Sequence, residues 1–144
     1  MEVKIKKICE NAKVPTYATE FSAGADLCAC CESDIEIRAN ETVLVHTGLV
    51  MEIPVGYAGM IFARSGLASK RGLAPANKVG VVDADYRGEV MVALHNHSCE
   101  TQVISHGERI AQLVIMPFLA ASFVESETLE ETVRGTGGFG STGK

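Results

Sequence analysis

Alternation with a period of two runs along most of this chain and leaves almost no room for helix. In residues 90–95, Val90, Val92 and Leu94 fall on one side while Met91, Ala93 and His95 fall on the other, as in a strand of a packed sheet. Similar short runs occupy residues 3–8, 25–29, 35–38, 42–50, 57–62, 79–83, 102–104 and 109–116, with turn residues between them. The one helix candidate is residues 65–70, a brief turn between strands. Many short strands without intervening helices predict an all-β fold, an antiparallel sandwich, jelly roll or closed barrel. They exclude a parallel sheet, whose strands are joined by helices.

The chain has 144 residues, enough for one domain with a real core and too few for two. From about Glu125 the alternation dissolves into acidic and then glycine-rich sequence, so the expected organisation is a β-domain over 1–124 and a tail over 125–144. Hydrophobic residues make up 47% and charged residues 22%, which excludes wholesale disorder. The apolar stretch 110–116 is interrupted by Gln112 and stops at Pro117, far short of a bilayer span. Residues 1–7 alternate polar and apolar instead of building a secretory core, and a cytoplasmic location is expected.

A net charge of −5 argues against general binding to nucleic acid, whose phosphate backbone demands a basic surface. A small anionic ligand needs only local cations, and Arg64, Lys70, Arg71, Arg87, Arg109 and Arg134 lie close to glycines. The five cysteines, Cys9, Cys28, Cys30, Cys31 and Cys99, are odd in number and lack the two paired C-x-x-C units of a zinc site, so reduced, packed thiols are expected. His95 and His97 read as an exposed strand end, and His46 and His106 show no partner pattern.

Residue chemistry points to a nucleotide. Arg64, Ser65 and Gly66 stand where a strand gives way to a short helix, where backbone N–H groups, a hydroxyl and a cation suit phosphate. Asp83 and Asp85 flank Ala84 in a strand-to-turn hairpin, so only one of them faces a ligand; the same segment also reads as a solvated hairpin. Asn77, after Pro75, is suited both to a turn and to a base edge, since an amide donates and accepts at once. In the glycine-built tail, Arg134 offers a phosphate clamp and Phe139 a stacking face. Taken alone, that tail reads more readily as a frayed terminus.

Five blocks resemble, in order and spacing, the five motifs of the trimeric deoxyuridine triphosphate nucleotidohydrolases, the dUTPases. They are Ser-Ala-Gly-Ala-Asp-Leu at 22–27, Ala-Arg-Ser-Gly-Leu-Ala at 63–68, Gly-Val-Val-Asp-Ala-Asp-Tyr-Arg-Gly at 80–88, Gly-Glu-Arg-Ile-Ala-Gln-Leu at 107–113, and the terminal glycine-rich segment. The likeness runs from Val14 to Gly143. It implies Mg²⁺-dependent hydrolysis of dUTP to dUMP and pyrophosphate by a homotrimer with shared sites. Asp83 is then the base that deprotonates water, Tyr86 lies under the sugar and rejects ribose, and Asn77 with the hairpin backbone reads uracil. Arg64, Ser65, Gly66 and Gln112 bind the triphosphate, Asp26 holds hydrated Mg²⁺ through water, and Arg134, Phe139, Gly140 and Ser141 belong to a closing flap. Arg109 is expected to be structural, and Ala63 and Glu108 depart from the commoner Gly or Pro and Asp. Two rivals share the fold or the ligand: a dCTP deaminase relative and a dUTP-sensing regulatory protein.

Overall fold

In the computed structural model, residues 1–138 are described. Eleven strands and one helix, α1 (Ser65–Arg71), make up the regular structure of these residues, as an all-β chain requires. One antiparallel sheet has the order β1 (Lys4–Lys7), β5 (Thr42–Glu52), β9 (Glu89–Asn96), β7 (Leu73–Pro75). A second has the order β2 (Thr16–Tyr17), β3 (Ala25–Cys28), β11 (Arg109–Pro117), β6 (Tyr57–Phe62), β8 (Gly80–Val82). A short ribbon pairs β10 (Gln102–Ile104) with β4 (Ile35–Ile37).

The period of two decides which side chains meet. In β9, Val90, Val92 and Leu94 are buried while Met91, Ala93 and His95 are half-buried. They join Val45 and Leu49 of the first sheet, Leu27, Ile110 and Leu113 of the second, and Ile37 and Ile104 of the ribbon in one continuous core. Each such side chain, withdrawn fully from water, contributes about 1.5–3 kcal/mol before chain entropy is subtracted.

Two strands escape the sequence pattern. β2 has two residues, both exposed, and is held by pairing with β3 and not by burial. β7 contains Pro75, which has no N–H for a ladder, and lies at a sheet edge where only one side must pair.

β5 breaks its alternation in the middle. Thr47, Gly48 and Leu49 are all buried, and the pairing with β9 shifts register between His46 and Val50. Thr47 turns its hydroxyl inward to donate to the Val90 carbonyl, and Gly48 takes a φ of 69°. This is a β-bulge, which bends a strand and redirects the segments bonded to it. Beyond Pro117 the described residues form no helix or strand, and Phe118, Leu119, Phe123, Val124 and Leu129 are exposed.

Candidate active site

Adjacent strands of the second sheet bring together blocks that lie far apart in sequence. Gln112 of β11 is opposite Asp26 of β3 on one side and opposite Phe62 of β6 on the other. Two residues past Phe62, Arg64 turns the chain into α1 with extended backbone, φ −85° and ψ 127°. Its Nε donates to Asp26 Oδ1 at 2.8 Å, and Arg109 Nη1 donates to Asp26 Oδ2 at 3.2 Å. Asp26 is only 6% exposed. Such a charge is tolerated in the interior because both oxygens are bonded to cations.

Around this pair opens a recess of about 400 Å³ lined by Arg64, Gly66, Lys70, Arg71, Glu108 and Arg109, with Leu67 at its base. Arg71 is committed to structure, since its guanidinium donates to Glu108, to Gln102 Oε1 and to the Val103 carbonyl. Ser65 and Gly66 are exposed in the first turn of α1, where backbone N–H groups have no partner within the helix. The arrangement suits an anion with several oxygens.

A second recess, of about 220 Å³, is built on the other side of β6. Asn77, Gly80, Val82, Asp83, Tyr86 and Met91 are among its walls. Asp83 lines it and Asp85 does not, which is the division expected of two carboxylates flanking one residue in a hairpin. Asp83 accepts the Tyr86 N–H at its carbonyl, 3.2 Å away, and leaves its carboxylate exposed. The Tyr86 hydroxyl donates to the Glu89 carbonyl at 3.0 Å. That bond lays the ring against Gly88, where an added Cβ would stand 2.3 Å from the hydroxyl oxygen. Glycine at 88 is therefore what lets the tyrosine lie down.

These recesses share no lining residue. The pairing of β6 with the antiparallel β8 explains why. Ile61 is opposite Gly80 and Gly59 opposite Val82, so Asp83 continues toward Ala58 while Arg64 lies beyond the other end of β6. Six residues of extended chain separate Ala58 from Arg64, roughly 20 Å at strand rise. Within one chain the carboxylate and the arginine cluster sit at opposite ends of the same ladder.

The dUTPase family model matches residues 10–143. The chain belongs to the dUTPase family. It is 51% identical over 144 residues to the deoxyuridine 5'-triphosphate nucleotidohydrolase of Rickettsia bellii, covering 99% of this chain and 95% of that one. Against the enzyme of the same name from Desulfitobacterium hafniense it is 50% identical, over 99% of this chain and 97% of the relative. Among solved structures, a substituted dUTPase of Staphylococcus bacteriophage 80alpha with dUpNHpp superposes with a TM-score of 0.86 at 26% identity, covering 99% of each chain.

Seen as a dUTPase, the chain groups its candidate residues into two sets, Asp26, Arg64, Ser65, Gly66 and Gln112 in one and Asn77, Asp83 and Tyr86 in the other. Arg134 forms a local turn, its Nε donating to the Gly137 carbonyl at 2.8 Å. Phe139, Gly140 and Ser141 lie outside the described residues. No local pattern reveals that Arg64 and Arg109 share Asp26, because the three stand on separate blocks that only the ladder unites. Nor does any show that His46 pairs with Glu89, at 2.7 Å, across the first sheet.

Proposed function

We propose that this dUTPase-family enzyme hydrolyses dUTP to dUMP and pyrophosphate at sites shared between subunits of a homotrimer. The observation that carries the shared site is the separation of Asp83 from the Arg64 cluster along one β-ladder. A water activated by Asp83 must attack the α-phosphorus of a triphosphate that Arg64, Ser65 and Gln112 hold, and one chain keeps those groups too far apart. In such a trimer the hairpin recess of one copy would meet the arginine recess of another, with the tail of a third as the cover.

Within such a site each side chain has a defined task. Asp83 accepts a proton from water at hydrogen-bond range. Arg64 offers a planar pair of donors, and Ser65 a hydroxyl, to oxygens on which charge grows as pyrophosphate leaves. Gln112 adds a neutral donor. Asn77 and the backbone from Gly80 to Val82 pair with the uracil edge; cytosine would leave buried groups unpaired, and such sites reject near-isosteres strongly. Tyr86 occupies the space a 2′-hydroxyl needs. Arg134, Phe139, Gly140 and Ser141 close over the nucleotide and exclude bulk water.

Mg²⁺ fits the donor set through water. Both Asp26 oxygens already accept a guanidinium N–H, so two cations stand against a directly bound metal ion, while each oxygen keeps a lone pair that can accept a hydrogen bond from a metal-bound water. A water on the metal is therefore the contact Asp26 can make, in keeping with an ion that retains several waters. When bound with the triphosphate, Mg²⁺ would neutralise charge on its oxygens. The free thiols and the nucleotide substrate fit action in the cytoplasm. Among the described residues no helix is long and apolar enough to cross a membrane.

Pyrophosphate release measured across dUTP, dCTP, dTTP and UTP tests the reading. Turnover should be confined to dUTP. Ammonia from dCTP would assign the chain to the deaminases, and tight dUTP binding without turnover would make it a sensor.

A further inference from the structure

A recess of about 650 Å³ lies away from the arginine cluster and shares only Glu89 with the hairpin recess. Cys9, Cys30, Cys31, His46, Glu89 and His106 stand around it. Two of these thiols are brought together by the bulge in β5. Ile8 donates its N–H to the Gly48 carbonyl at 2.9 Å, and Cys30 donates its N–H to the His46 carbonyl at 2.8 Å. The segments carrying Cys9 and Cys30 thus hang from the same three residues of one strand. Glu89 fixes the bulge from the far side, taking the Gly48 N–H at 2.7 Å on one oxygen and pairing with His46 on the other.

The bulge also clears the space in which the thiols meet. A Cβ at Gly48 would lie 3.0 Å from the Cys30 sulfur and 3.0 Å from the Cys9 Cβ. With glycine there, the Cys30 sulfur and the Cys9 side chain converge on one point over bare backbone. Both are half-buried at the edge of an open recess, so a small oxidant can reach them.

We propose that Cys9 and Cys30 are a redox-active pair, which hydrogen peroxide closes to a disulfide and a dithiol reopens. The Cys9 sulfur is the attacking one. The neighbouring Cys30 side chain, followed by backbone N–H groups of Asn11 and Ala12, holds its pKa below the ordinary thiol value. Burial, followed by the Cys9 side chain, pushes Cys30 up to about 11 and keeps it protonated. Cys9 thiolate displaces hydroxide from peroxide and becomes a sulfenic acid. Cys30 then loses its proton and attacks the sulfenic sulfur, expelling a second hydroxide. Two thiols and one peroxide give one disulfide and two waters, the two electrons passing from sulfur to peroxide oxygen. Closure sets the sulfurs about 2.05 Å apart, a movement two side chains on neighbouring loops can supply.

The experiment is peptide mapping of the full chain after brief peroxide treatment and alkylation under denaturing conditions. Trypsin releases Cys9 in residues 8–13 and Cys30, with Cys28 and Cys31, in residues 14–38. The expected product joins these two peptides, lacks two hydrogens, fragments to a Cys9–Cys30 bond, migrates as a single chain on a non-reducing gel and disappears with dithiothreitol. Cys30→Ser should lower its yield at least tenfold and leave Cys9 as a sulfenic acid trapped by dimedone, while Cys31→Ser should leave the yield unchanged. A bond from Cys9 to Cys28 or Cys31, a cross-link between chains, or oxidation confined to the exposed Cys99 would overturn the proposal. Mapping the unsubstituted chain decides this even where a variant folds poorly.

Discussion

Asp83 owes its assignment to position more than to character. Its carboxylate is exposed at the mouth of the hairpin recess, where an amide of the same shape fills the same space and accepts no proton. Asp83→Asn should therefore keep dUTP binding and subunit assembly and lose at least about 10²-fold in kcat, the usual yield of a positioned base; near-normal turnover would remove Asp83 from that role. Gly88 makes a quieter contribution. Its φ is outside the left-handed region, so alanine is acceptable to the backbone, but the new methyl strikes the Tyr86 ring. Gly88→Ala should leave melting behaviour close to that of the parent chain and narrow the preference for dUTP over UTP by at least about tenfold, measured as a ratio of kcat/KM values. An unchanged ratio would mean that Tyr86 does not police the sugar.

At the scale of elements, the proposed chemistry is assigned to the ladder β3–β11–β6–β8 and its closure to the tail. The first three strands set Asp26, Gln112 and Phe62 side by side, and the turn into α1 delivers Arg64 to Asp26. A chain ending at Val133 removes none of the core, whose members all lie between Ala12 and Leu113. It should fold and assemble as the full chain does while losing nearly all turnover, because nothing closes the site. The check is steady-state dUTP hydrolysis alongside sedimentation of the truncated protein. Full activity would make the terminal segment dispensable.

The whole molecule is where the two half-sites must be reconciled. If Asp83 of one subunit serves the Arg64 cluster of another, Asp83→Asn and Arg64→Ala chains, each inactive alone, should complement each other. Random mixing of equal amounts leaves about a quarter of the sites with both native residues, so roughly that share of activity should return. A site contained in one chain recovers nothing on mixing. This separates a shared site from a single-chain one without reference to trimer geometry.

Alternation alone determined that the chain is all β, and it located nine of the eleven strands and the helix to within a few residues, because burial on one face of a strand writes itself into every second position. It failed at β2, which has no buried residue, and at Pro75 of β7, where an edge position tolerates what a central strand forbids. The five blocks were likewise readable in order, and with them the candidate residues. Which blocks meet was not. Asp26 binds Arg64 and Arg109 across 38 and 83 positions of chain, and strand order, a property of the assembled sheet, sets that contact. The distance between Asp83 and Arg64 follows from the antiparallel sense of β6 and β8, which only the fold fixes. Cys9 and Cys30 met for the same reason: a bulge formed by pairing between β5 and β9 holds both thiols over one glycine, and no local pattern near either cysteine encodes it.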